Sequence, residues 1–112
     1  MIILSWVVSS DAPLMGNVKS VYIIYKEDAV VLDCEAVSNP PLNFSWSKNR
    51  QMLTSGGQIG IKKSKGVDIY PYKTRLTFQN AQLNDSGSYK CEATNIIGQN
   101  TSSILLVVKG KN

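Results

Sequence analysis

Two cysteines, Cys34 and Cys91, are the most reactive side chains in this sequence of 112 residues, and no histidine stands anywhere in it. A thiol can serve as a nucleophile, as a metal ligand or as half of a disulfide. Nucleophilic work needs a base nearby, and the lack of histidine removes His-based triads, His general bases and imidazole switching near neutrality. Two cysteines without histidine also exclude four-cysteine and Cys/His zinc sites. Ser45, Ser47 and the other serines have no imidazole to activate them. The eight carboxylates are scattered, and Glu27-Asp28 reads as a turn. Asp33 and Glu35 share one strand face, which suits a solvated surface better than a weak cation site. Gly56-Gly57-Gln58-Ile59-Gly60 neither matches a dinucleotide fingerprint nor enters a helix, and Gly60 to Gly66 lacks the Gly-Lys-Ser/Thr ending of a phosphate loop. The expectation is no catalytic residue, no cofactor and no metal.

What remains for the cysteines is a reduced core pair or one disulfide. They stand 57 positions apart, and closing so long a loop would add roughly 4 kcal/mol in the chain-entropy account. Three Asn-x-Ser sequons, at Asn43, Asn84 and Asn100, are glycosylation candidates. Each pattern is short and arises by chance, but three in one small chain beside paired cysteines favour an extracellular or secretory setting. The first residues are ambiguous. Ile2 to Val8 is apolar apart from Ser5, yet the first positive side chain is Lys19, so a complete signal peptide is disfavoured. Residues 1–17 are read as an N-terminal extension or first-strand segment, and residues 18–110 as one domain.

The elements that must position these side chains are strands. No stretch of ten or more residues holds a 3.6-residue period, whereas apolar residues alternate in short runs. Val30, Leu32, Cys34 and Ala36 alternate with Val31, Asp33 and Glu35, and Asn39-Pro40-Pro41 ends that run. Phe44 and Trp46, Leu76 and Phe78, and Tyr89, Cys91 and Ala93 mark the inward faces of three more strands. Val21 to Tyr25 can pair at an edge, and Thr101 to Lys109 closes the set after a hairpin at Asn95 to Gln99. Gly56-Gly57 and Gly60 mark a turn-rich middle. Seven or eight short strands predict an all-β sandwich or barrel.

The motifs go further. Cys34, then Trp46, then Tyr89 two residues before Cys91 in Asp85-Ser86-Gly87-Ser88-Tyr89-Lys90-Cys91, together with Leu76-Thr77-Phe78 and Ala93-Thr94-Asn95-Ile96-Ile97-Gly98, resemble the immunoglobulin superfamily, most closely its I-set (intermediate) type. The resemblance covers roughly Val18 to Lys109. It implies an immunoglobulin-like β-sandwich of two antiparallel sheets in Greek-key order. It also implies a cross-sheet disulfide Cys34–Cys91, with Trp46 covering it and Tyr89 as a tyrosine corner. Leu76 belongs to the implied core, and Asp85 is expected to pair with a base, Arg75 or a lysine between Lys62 and Lys65. Asn95 and Gly98 are expected to fix their hairpin, Gly98 through a permissive backbone angle. Where such domains often carry Glu-Gly, this chain has Glu27-Asp28, so the turn is expected to use Asp28.

The resemblance further implies a non-catalytic recognition or spacer module of an extracellular adhesion molecule or receptor, with homophilic or heterophilic protein partners and tandem neighbours. The competing class is an intracellular cytoskeletal or muscle domain with reduced cysteines, which would be cytoplasmic. The net charge is +4, and Lys62, Lys63 and Lys65 cluster. Lysines on a strand edge discourage aggregation; with Arg75 they are also the candidate patch for a partner or for heparan sulphate. A net charge this small implies no nucleic-acid partner, and no apolar run reaches the length of a membrane span. With Asn43 and Asn100 assigned to one end of the C–F–G sheet, the opposite A–B–E–D side, with Tyr70 and Tyr72, is the expected contact surface.

Overall fold

The structure is a computed structural model, and it describes residues 11–16, 19–56, 59–66 and 71–111. Among these, nine strands run in chain order. They are β1 Leu14–Met15, β2 Val21–Tyr25, β3 Val30–Val37, β4 Asn43–Lys48, β5 Gln51–Met52, β6 Ile59–Lys65, β7 Tyr72–Phe78, β8 Gly87–Thr94 and β9 Gln99–Lys109. They form a four-stranded sheet, β1-β3-β7-β6, and a five-stranded sheet, β2-β9-β8-β4-β5. All pairings are antiparallel except β2 with β9, which run parallel. Of the first-strand segment expected over residues 1–17, β1 and the buried Pro13 carry the described part; residues 1–10 lie outside it.

The period of two decides which face is buried. Leu32, Cys34 and Ala36 of β3 and Leu76 and Phe78 of β7 point to the interior from one sheet. Phe44 and Trp46 of β4, Tyr89, Cys91 and Ala93 of β8, and Ile104, Leu106 and Val108 of β9 meet them from the other. Each large apolar side chain so buried stabilises the fold by about 1.5–3 kcal/mol relative to exposure.

Two cross-links tie the sheets together. Cys34 and Cys91 form a disulfide with their Cα atoms 6.5 Å apart. Trp46 lies opposite Cys91 in the β4–β8 ladder, and Thr74 lies opposite Cys34 in the β3–β7 ladder. The Trp46 indole N–H donates to Thr74 Oγ1 at 3.0 Å, fully buried. The covalent link and the polar link therefore leave from the two members of one rung in each sheet and cross the same layer side by side. Thr74 is the one polar residue in the buried core among the described residues, and this bond removes the cost of burying its hydroxyl.

At the end of the sandwich, Leu83–Asp85 makes a single 3-10 turn before β8. The Asp85 carboxylate accepts from the Gln82 backbone N–H at 2.7 Å, and the Tyr89 hydroxyl donates to the Asp85 carbonyl. Burial, with a smaller push from the Asp85 charge, raises the Tyr89 phenol well above its ordinary 10.0. Gly87 has φ +154°, and a Cβ there would sit 2.8 Å from Lys48 Cε. Lys48 crosses at that point to reach the Asn84 carbonyl at 2.6 Å. The neutral phenol is the folded form, so Tyr89 contributes stability below pH 10 and loses it as pH rises. Stability should therefore decline above about pH 10, where the unfolded chain ionises first. Tyr89→Phe should lower stability by about 1 kcal/mol at pH 7 and flatten that decline, as read by urea titration at several pH values.

Three expectations are corrected by the backbone. The turn after β2 takes its left-handed angle at Glu27, φ 77°, and not at Asp28. Asp28 instead caps the strand, since its carboxylate accepts from the Tyr25 N–H at 3.2 Å. Gly98 is not among the residues with positive φ. Its role is space, because a Cβ there would come 3.3 Å from the Ala12 Cβ, while the Asn95 side-chain oxygen accepts from the Ile97 and Gly98 N–H groups. The turn-rich middle is shorter than expected. Gly56 and Ile59 exchange backbone bonds, and Gly60 already belongs to β6.

The β4–β5 hairpin turns through Asn49 and Arg50, both with positive φ (50° and 69°). That is the pair of angles a two-residue I′ hairpin needs, and glycine is the residue suited to the second position. Arg50→Gly should raise stability by about 0.5–1 kcal/mol, measured as a higher urea midpoint at unchanged slope.

Candidate functional site

Two outward sheet faces and two loop ends are available for binding. On the four-stranded sheet, β7 places Lys73 and Arg75 outward between β3 and β6. Asp33 lies opposite Arg75 on β3, and the Arg75 Nε–H donates to its carboxylate at 3.0 Å. Glu35 is likewise opposite Lys73. Arg75 thus has Asp33 as its partner in place of the expected Asp85, whose carboxylate caps the 3-10 turn.

Lys62, Lys63 and Lys65 do not form one surface. Lys62 lies opposite Arg75 and shares its outward parity. Lys63 and Lys65 pair with Thr74 and Tyr72 and fall on the inward parity, at the open side of the sandwich. There they rim a hollow of about 280 Å³ floored by Leu42, Phe44 and Tyr72. The Lys65 ammonium sits 5.2 Å from the Tyr72 ring. Tyr72 is half-buried, and Tyr70 lies outside the described residues.

The outer face of the five-stranded sheet has two different halves. Ser45 and Ser47 of β4 and Lys90 and Glu92 of β8 make one half polar. Val21, Ile23 and Tyr25 of β2 and Leu105 of β9 make the other apolar, with Ile23 61% and Tyr25 54% exposed. Val21 lies opposite Leu105, and Ile23 opposite Val107. Sequence reasoning missed this stripe. The signal was present: with Ile104, Leu106 and Val108 inward, Leu105 and Val107 must face out.

The sequons divide as well. Asn43 is exposed at the start of β4, and Asn84 is exposed on the 3-10 turn. Asn100 lies opposite the inward Ala93. Its side-chain amide donates to the Pro13 carbonyl at 3.2 Å, toward β1 and away from the outer face. At the same end the Asn95 amide donates to the Asp11 carbonyl at 2.7 Å, which fixes the chain's entry beside the β8–β9 hairpin. Ile96 and Ile97 are exposed on that hairpin.

Comparison with known proteins matches this architecture. The sequence profile of the Immunoglobulin I-set domain covers residues 15–108. IgLON family member 5 of Mus musculus is 34% identical over 82 residues, 73% of this chain and 23% of that protein. Hemicentin-1 of Mus musculus is 31% identical over 93 residues, 83% of this chain and 2% of that protein. The chain therefore spans less than a quarter of the length of these relatives. Titin domain M7 superposes with TM-score 0.79 at 22% identity, covering 91% of this chain and 98% of that one. The Dpr2 Ig1-Ig2 structure, solved in complex with DIP-Theta Ig1-Ig3, gives TM-score 0.80 at 21% identity over 88% of this chain and 33% of that one. Profile, relatives and the cross-linked core agree, and the chain belongs to the immunoglobulin superfamily as an I-set domain.

Proposed function

We propose that this domain is a non-catalytic protein-recognition and spacer module of an extracellular adhesion or receptor protein, carried with tandem neighbours. The observation that carries the reading is the Cys34–Cys91 bridge in a chain whose sequons Asn43 and Asn84 both project to solvent. Bridges and glycans are acquired together in the secretory pathway. The likeness to titin stands at 22% identity and speaks for the fold alone. The polyanion reading of Lys62, Lys63, Lys65 and Arg75 is the weaker one, because these groups are divided between two faces and Arg75 is neutralised by Asp33.

Secretion from a eukaryotic host tests the compartment. The mass should fall on enzymatic removal of N-glycans, Asn43→Gln should remove one glycan's worth of that change, and thiol titration should find no free cysteine. An unglycosylated product with two titratable thiols would instead mark the intracellular class.

A further inference from the structure

The described sheet edges differ in how they meet solvent. β1 and β5 are two residues long. β6 carries Lys62, Lys63 and Lys65, the kind of charge that discourages pairing with another strand. Beyond β1, the open stretch of β3 carries Asp33 and Glu35, charges that likewise discourage pairing with another strand. The β2 edge has none of these protections. Its five residues are Val-Tyr-Ile-Ile-Tyr, uncharged throughout.

The direction of its backbone groups follows from two observations. The Leu105 N–H donates to the Ser20 carbonyl, and the Lys26 N–H donates to the Lys109 carbonyl. Even-numbered residues therefore face β9, and Val21, Ile23 and Tyr25 turn their N–H and C=O groups to the free edge. Tyr25 is already occupied: its N–H goes to the Asp28 carboxylate and its C=O accepts from the Asp28 N–H. Val21 and Ile23 have no recorded partner for theirs among the described residues.

We infer that β2 pairs with β2 of a second copy of this chain, antiparallel about a two-fold axis at Tyr22, so that Val21 and the second copy's Ile23 exchange both backbone bonds. This register is selected by the structure. Centring the pair on Ile23 would require the Tyr25 groups that Asp28 occupies. Centring it on Tyr22 uses the two residues that are free and sets Lys19 opposite Tyr25, with no like charges face to face. It places Val21 beside Ile23 on the outer face and joins the two Val21–Leu105 and Ile23–Val107 stripes into one apolar band. No sequon lies on β2, and the exposed Asn100 of β9 turns its side chain toward Pro13, away from the outer face. One five-residue edge and its flanking stripe make a smaller contact than the roughly 800 Å² per partner of a standard stable interface, so the pairing belongs to the weak, transient class.

Sedimentation equilibrium of the whole chain over a wide concentration range, with hydrogen exchange at each end of that range, tests the assignment. A monomer–dimer equilibrium is expected. The Val21 and Ile23 amides should be protected as the dimer fills, and Ile23→Lys should weaken dimerisation by about tenfold or more. Val21→Pro removes an edge N–H without touching the β9 ladder and should do the same. Met52→Lys, at the opposite edge and at least as exposed, should leave the dimer unchanged. A chain that stays monomeric throughout would overturn the inference. So would a dimer lost in Met52→Lys but kept in Ile23→Lys and Val21→Pro, or one that forms without protecting the two amides.

Discussion

Replacing Cys34 and Cys91 together by alanine should cost about 4 kcal/mol, close to the stability of an ordinary small domain. The bridge spans 57 positions and joins β3 to β8, strands on different sheets. Without it, the unfolded chain regains the freedom of a loop that covers half the sequence. The folded state loses little, since both sites are fully buried and alanine fits the volume with only a small gap. The urea midpoint should therefore drop sharply, and the transition slope should rise because the unfolded chain becomes more expanded. The melting temperature should fall by about 15–20 °C. A double variant whose midpoint lies near that of the parent would show that the bridge holds a geometry the fold already secures by packing.

Trp46→Ala is expected to cost about as much by a different route. The indole is 1% exposed and lies against the core layer beside the bridge. Its removal leaves a large cavity, at about 3–5 kcal/mol. It also strands the Thr74 hydroxyl, which has no other recorded partner in the interior. That second contribution can be separated by a double-mutant cycle. Trp46→Phe and Thr74→Val should each destabilise by about 1–3 kcal/mol, because each leaves one buried polar group unpaired. The combined variant should cost clearly less than the two added together. Strict additivity would mean that the cross-sheet hydrogen bond contributes nothing.

Much of this was readable beforehand because β-sheets write their faces with a period of two. Leu32, Cys34 and Ala36, then Phe44 and Trp46, then Leu76 and Phe78, announced their inward direction by alternation, and the core residues met as expected. The Cys–Trp–Tyr–Cys spacing carried the superfamily. What escaped reading falls into two physical kinds. Backbone angles depend on the turn as a whole: Glu27 and Asn49-Arg50 take left-handed positions with no glycine to mark them, and Gly98 is small for the sake of Ala12, which is distant in sequence. Charge pairing depends on strand neighbours. Asp33 meets Arg75 only because β3 and β7 are adjacent in a particular register. The lysine cluster looked like one patch because adjacency in sequence was counted ahead of parity. The apolar stripe on β2 was hidden for the opposite reason, since both faces of Val21 to Tyr25 are hydrophobic and alternation says nothing there.

The parallel pairing of β2 and β9 has a mechanical meaning. The chain enters β2 at Val21 and leaves β9 at Lys109, and the two strands point the same way. Tension applied to the two ends of the domain would draw them past each other lengthwise, so their rungs must break together and not one at a time. Should that seam give way, the bridge would still hold the stretch from Cys34 to Cys91 closed. A domain wired in this order resists a pull abruptly and then yields only a short length of slack.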